Sequence, residues 1–156
     1  MTRHWPGFWA RNGATARVLA PLEWLFRYFA AWRRRRLEAI ARPVPAPVMV
    51  VGNLAVGGSG KTPLVIWLVA RAAARGWRPG VVLRGYGGRE PGITAVTADS
   101  DPGAVGDEAV LIAKRTGYPV MTGRDRAAAA DALIATGHVD LVISDDGLQH
   151  YRLARD

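Results

Sequence analysis

Lys61 and Thr62 close the run Gly57-Gly58-Ser59-Gly60-Lys61-Thr62, the stretch of this 156-residue chain best suited to hold a polyphosphate. Glycines let backbone N–H groups turn inward around phosphate oxygens, and a helix starting at such a loop adds the partial positive charge of its N-terminus. A lysine in that place reaches β- and γ-phosphates, and the threonine hydroxyl serves Mg²⁺. The strict spacing would put the first glycine at position 55, where this chain has Ala55. Gly57, Gly58 and Gly60 still supply adaptable backbone where phosphates lie. Carboxylates that could hold the metal are offered by Asp145 and Asp146, which end the apolar run Leu141-Val142-Ile143-Ser144. Enzymes with this kind of loop keep a metal-holding carboxylate at such a strand end.

Other polar groups are more ambiguous. Asp107 and Glu108 open a helix expected over residues 108–116, where carboxylates cap a helix and complement its dipole. On their own these two residues favour that structural role. Arg84 and Tyr86 lie among Gly85, Gly87 and Gly88; this is either an ordinary surface loop or one that contacts an anionic or sugar substrate. Arg124, Asp125 and Arg126 read as the start and solvated face of an alanine-rich helix reaching about Thr136. His138 and His150 show no metal-ligand spacing.

The elements that must position these groups follow from period and punctuation. Residues 47–51 form a β-branched run suited to a buried parallel strand. The segment after Thr62 reads as a helix with Pro63 in its first turn, where the missing N–H costs nothing, and with Gly76 as its stop. Val81-Val82-Leu83 is another short buried strand. Sheets of this class bind ligands at the carboxyl ends of their strands. The expected fold is therefore α/β: a P-loop NTPase-type, mostly parallel sheet flanked by helices, over residues 43–156.

Residues 1–42 differ in kind. They hold nine arginines against Glu23 and Glu38, whereas residues 43–156 are nearly neutral within a total charge of +8. They also hold eight of the thirteen aromatic residues. Over residues 21–40, Leu22, Leu25, Phe26, Phe29 and Trp32 recur at helical spacing, with Glu23 and Arg27 four apart on the other side. Four cations follow: Arg33, Arg34, Arg35 and Arg36. The charges come after the apolar stretch, unlike a secretory signal, and the stretch is shorter and more charged than a membrane span. An amphipathic helix lying on an anionic membrane surface fits; packing of this helix on its own globular domain is the alternative. No base-reading motif accompanies the charges, which excludes nucleic acid as the expected partner. Residues 42–47, with alternating prolines, form a stiff connector and set the expected boundary between a 1–42 helical segment and a 43–156 domain. The chain has no cysteine, which removes disulfides and thiolate metal sites and fits a reducing compartment.

Taken together, Val51-Gly52-Asn53-Leu54 leading into the Gly57–Pro63 loop, Arg84-Gly85-Tyr86-Gly87-Gly88, Gly106-Asp107-Glu108 and Asp145-Asp146-Gly147-Leu148-Gln149-His150 with Tyr151-Arg152-Leu153 resemble the tetraacyldisaccharide 4′-kinases of lipid A biosynthesis. A non-glycine at position 55 is usual in that family. Ala109 and Leu83 stand where proline and serine are common there. The resemblance implies transfer of the γ-phosphate of ATP to the 4′-hydroxyl of a lipid disaccharide at the cytoplasmic face of the bacterial inner membrane, by a peripheral enzyme. It implies ATP at Gly57, Gly58, Ser59, Gly60, Lys61, Thr62 and Pro63. It also implies Mg²⁺ at Thr62, Glu108, Asp145 and Asp146. Asp107 becomes the residue that activates the sugar hydroxyl, which displaces the capping role. Arg84, Tyr86, Gln149 and His150 lie toward the lipid disaccharide. Members of the family are longer, so this chain is expected to be an N-terminal part. A membrane-bound ATPase or switch, and a non-catalytic ATP-binding fragment, are the competing functions; no Asn-Lys-x-Asp motif for guanine occurs.

Overall fold

The computed structural model describes residues 14–38, 41–52, 60–145 and 153–154. The chain divides into two compact units, Met1–Ala39 and Ile40–Asp156.

In the first unit, α1 (Ala14–Glu38) is a single helix. It begins seven residues before the start expected from sequence and carries Pro21 inside it. A proline lacks one N–H and crowds the preceding turn, so it marks a helix start only when no good helix formers precede it. Here Ala14, Ala16, Leu19 and Ala20 precede it and extend the helix. Glu23 and Arg27 form the expected i,i+4 ion pair, at 3.6 Å. Val18, Leu22, Trp24, Leu25, Phe26, Tyr28, Phe29 and Trp32 are all exposed, Trp24 at 69% and Phe26 at 73%. Among the described residues no helix is long and apolar enough to cross a membrane.

The second unit is a five-stranded sheet in the order β1-β5-β2-β4-β3. The strands are β1 (Val48–Val50), β2 (Pro79–Leu83), β3 (Thr94–Val96), β4 (Val120–Thr122) and β5 (Leu141–Ser144). The first, fifth, second and fourth run parallel, with Val48 opposite Val142, Val81 opposite Ile143, and Val81 opposite Val120. β3 closes one edge antiparallel to β4. The helices are α2 (Lys61–Ala73), α3 (Pro102–Val105), α4 (Asp107–Thr116) and α5 (Arg126–Ala135).

Successive residues of a strand face opposite sides, and here both sides are covered. Val81, Leu83 and Ile143 join Val65 and Val69 of α2 and Ala109 and Ile112 of α4 in one core. Val82 and Val142 join Ala127, Ala130 and Leu133 of α5 in the other. That is why the strands read as unbroken apolar runs. Burying each valine or leucine contributes about 1.5–3 kcal/mol. At the amino ends of β2 and β5, the Arg78 backbone N–H donates to Asp140 at 2.6 Å and its Nε donates at 3.0 Å. These bonds hold the Asp140 carboxyl below its ordinary pKa.

The expected mostly parallel α/β sheet is the one observed. Three short elements were not foreseen: β3, α3 and β4 are three or four residues each. Stretches that short carry no period to detect.

Candidate active site

The carboxyl ends of all four parallel strands meet at one edge of the sheet. Beyond β1, α2 starts at Lys61 with Gly60 as N-cap, in the left-handed region at φ 72°, which a side chain would strain. Beyond β2 comes Arg84, beyond β4 comes Arg126, and beyond β5 comes Asp145. These ends enclose a cavity of about 340 Å³. Among the residues that line it are Lys61, Arg84, Tyr86, Glu108, Arg126 and Asp145. Asp145 is 2% exposed, whereas Tyr86 at 86% stands in solvent at the rim.

The N-terminal turns of α2 and α4 are joined here. The Thr62 hydroxyl donates to Glu108 Oε1, tying the expected magnesium residue of one helix to that of the other. Pro63 lies in the first turn of α2 and is exposed. α4 begins at Asp107, one residue before the expected start, and its N-cap is Gly106, with no side-chain capping bond. The Asp107 carboxylate accepts from the Glu108 backbone N–H at 2.9 Å; it is exposed and stands beside the cavity rather than lining it. Two carboxylates in the first turn complement the helix dipole, and Glu108 also reaches across to another helix. Gly57, Gly58, Ser59, Asp146, Gln149 and His150 lie outside the described residues.

The loop that carries Arg84 and Tyr86 lies flat against α3. The Arg89 N–H donates to Gly103 O at 3.2 Å and the Glu90 N–H to Ala104 O at 3.0 Å. Arg89 pairs with Asp101, which also caps α3 by accepting from the Gly103 N–H. A Cβ built on Gly88 would stand 2.4 Å from the Ala104 carbonyl oxygen, closer than real side chains approach. Gly88→Ala must therefore push the loop off α3. The expected cost is about 1–3 kcal/mol, the usual range for overpacking, read as a lower midpoint in urea unfolding. An unchanged midpoint would mean that the loop is not held at this point.

Arg126 is where the structure departs from the sequence reading. It was expected on the solvated face of its helix, yet it is 2% exposed and lines the cavity. Its neighbour Asp125 does cap α5, accepting from the Ala127 and Ala128 N–H groups. The signal was available in principle: residues 120–122 form a strand, so an arginine just past them falls at the ligand-binding edge.

A strand leading to a glycine-capped helix that opens with Lys-Thr, next to a strand ending in a buried aspartate, defines a P-loop-type nucleotide-binding domain of the α/β class. Residues 15–156 match the family described as LpxK, tetraacyldisaccharide-1-P 4′-kinase. The chain belongs to that family. It is 52% identical over 155 residues to the tetraacyldisaccharide 4′-kinase of Azoarcus sp. (strain BH72), covering 97% of this chain and 46% of that one. The corresponding enzyme of Halorhodospira halophila (strain DSM 244 / SL1) is 53% identical over 155 residues, with coverage of 97% and 47%. The chain thus spans about half the length of the curated relatives it matches. Its fold matches crystalline "apo" form LpxK from Aquifex aeolicus in complex with ATP, with a TM-score of 0.71 and 30% identity. That match covers 88% of this chain and 46% of the Aquifex chain.

Proposed function

We propose that this chain supplies the ATP-binding portion of a kinase that moves the γ-phosphoryl group of ATP to the 4′-hydroxyl of a tetraacyldisaccharide 1-phosphate. One observation carries the reading: Lys61, Glu108 and Asp145 line a single cavity whose rim holds Arg84 and Tyr86. The ATP in the related Aquifex structure supports the choice of nucleotide.

The donor set fits magnesium. Among the described residues no group of three or more His, Cys, Asp or Glu is placed to cage an ion. Magnesium usually takes one or two carboxylates and completes its shell with phosphate oxygens and water. Thr62, Glu108 and Asp145, with Asp146 beyond the described residues, would hold it. When bound there, Mg²⁺ neutralises charge on the β- and γ-phosphates. Lys61 draws the same phosphates by its fixed positive charge, at a helix N-terminus that already favours anions. Asp107 receives the proton of the 4′-hydroxyl as that oxygen bonds to the γ-phosphorus; the bond from phosphorus to the β,γ-bridging oxygen breaks, and ADP leaves. Arg84 and Tyr86, with Gln149 and His150, orient the sugar phosphate.

The lipid reading extends to location. We assign α1 as a peripheral anchor at the cytoplasmic face of the inner membrane, its exposed aromatics entering the acyl boundary and its arginines meeting lipid phosphates.

The direct test is ATP binding by the chain as it stands, and transfer of labelled phosphate to tetraacyldisaccharide 1-phosphate by a chain extended to the length of its relatives. Lys61→Ala is expected to weaken ATP binding roughly 10- to 150-fold, the loss of about 1.5–3 kcal/mol from a charge-assisted contact. Hydrolysis that a protein partner stimulates and the lipid leaves unchanged would favour an ATPase switch instead.

A further inference from the structure

The geometry points to Arg126 as a positioning residue that sets the direction of the Asp145 carboxylate toward the metal; this rests on the ATP–magnesium reading of the cavity. Burying a guanidinium is costly unless its donors are well used, and Arg126 is 2% exposed. It opens α5, where the helix dipole disfavours a cation. Both penalties call for a compensating arrangement.

That arrangement is a clamp across three strand ends. Arg126 Nη1 donates to Gly123 O at 2.7 Å, just past β4, and Nη2 donates to Asp145 O at 3.4 Å, just past β5. β4 and β5 are not neighbours; β2 lies between them. The planar fork of one arginine therefore bridges the carboxyl end of β2, a span that a lysine's single ammonium could not hold at both ends. The backbone completes the frame. The Gly123 N–H donates to Leu83 O at 2.9 Å and the Asp145 N–H to Val82 O at 3.0 Å. Asp145 is thus held through its own N–H by β2 and through its own C=O by Arg126. With both main-chain groups fixed, the Cα–Cβ bond of Asp145 has a set direction, and the buried residue lines the same cavity as Glu108. Removing the fork leaves the Asp145 backbone held through its N–H alone, so the residue can tilt and its Cα–Cβ bond with it.

The effect belongs to metal recognition and not to phosphate contact, and that separates it from the role given to Lys61. Supporting residues of a metal site typically contribute 10- to 100-fold in metal affinity. The experiment measures ATP binding by the chain, with a fluorescent ATP analogue, across a Mg²⁺ titration and again in excess EDTA. Arg126→Met is expected to raise the Mg²⁺ concentration for half-maximal enhancement by about tenfold or more, and to change ATP affinity in EDTA less than twofold. Arg126→Lys, which keeps the charge and one bond, falls between the two. Circular dichroism and thermal unfolding show that each variant is folded at the assay temperature. If Arg126→Met does not fold, the Arg126→Lys titration decides alone. Equal loss in Mg²⁺ and in EDTA would make Arg126 a phosphate ligand and overturn the assignment; so would an unshifted Mg²⁺ titration. Lys61→Ala is the control, losing affinity in both conditions. If the wild-type chain binds no ATP, the nucleotide reading itself fails, an outcome distinct from either.

Discussion

Asp107→Ala, in a chain extended to the length of its relatives, is expected to slow 4′-phosphoryl transfer by about 10²- to 10⁴-fold, the usual contribution of a positioned general base. ATP affinity is expected to change less than about threefold. The split follows from where Asp107 stands. It is exposed, next to the cavity lined by Lys61, Glu108 and Asp145 and outside its lining, so under the proposed function it is open to an acceptor from solvent while the nucleotide fills the cavity. Its carboxylate accepts from the Glu108 N–H, which fixes one oxygen and offers the other to a hydroxyl. Removing it leaves Glu108 joined to Thr62 and leaves Lys61 in place, so the phosphate-holding groups keep their arrangement. Rates and binding are measured separately, by labelled transfer at saturating ATP and by equilibrium titration of ATP. Parallel loss of both would show that Asp107 supports the nucleotide site or the first turn of α4, and its role as base would be abandoned. Asp107→Asn keeps size and hydrogen bonding but not the basic oxygen, and should be as slow as alanine.

How much of this was legible beforehand depends on how each residue is signalled. The loop before α2 announces itself because phosphate binding needs glycines, a lysine and a threonine in fixed order, and the order survives whatever surrounds it. Asp145 was legible because its strand opens with three consecutive apolar residues, Leu141, Val142 and Ile143, a run that reads as buried on both faces. The parallel arrangement followed from strands alternating with helices. Arg126 was not legible, and the reason is the strand before it. β4 is Val120, Met121 and Thr122, three residues between a turn and a glycine. Without that strand, nothing places Arg126 at the edge where ligands bind, and an arginine beside an aspartate looks like helix-surface chemistry. The contact between Thr62 and Glu108 was invisible for a different reason. It joins residues 46 positions apart, and only the packing of α2 on α4 brings them together. The seven extra residues of α1 show the limit of punctuation: Pro21 was read as a boundary, but helix formers on both sides carried the helix through it.

Replacing Arg33, Arg34, Arg35 and Arg36 together with serine is expected to reduce binding to anionic vesicles by up to about 10³-fold at low salt. Each basic residue near an anionic surface contributes about 1 kcal/mol, so four supply about 4 kcal/mol before screening. All four are exposed at the carboxyl-terminal end of α1, where cations also suit the helix dipole. Arg36 lies 5.4 Å from the centre of the Trp32 ring, so charge and aromatic surface are presented side by side. The exposed row of Leu22, Leu25, Phe26, Phe29 and Trp32 supplies a second, apolar contribution that salt does not screen. The two contributions separate by ionic strength. Wild-type binding should weaken as salt rises from about 0.01 to 0.15 M, where the screening length falls from about 30 to 8 Å. The serine variant should bind more weakly and with a shallower salt dependence, set by the five arginines that remain in residues 1–42. Sedimentation with phosphatidylglycerol-containing vesicles, and with neutral ones as control, reads both. Equal binding of the variant and the wild type at low salt would remove the electrostatic half of the anchor. Equal wild-type binding to neutral vesicles at every salt concentration would leave the aromatics alone to hold the chain at the lipid surface.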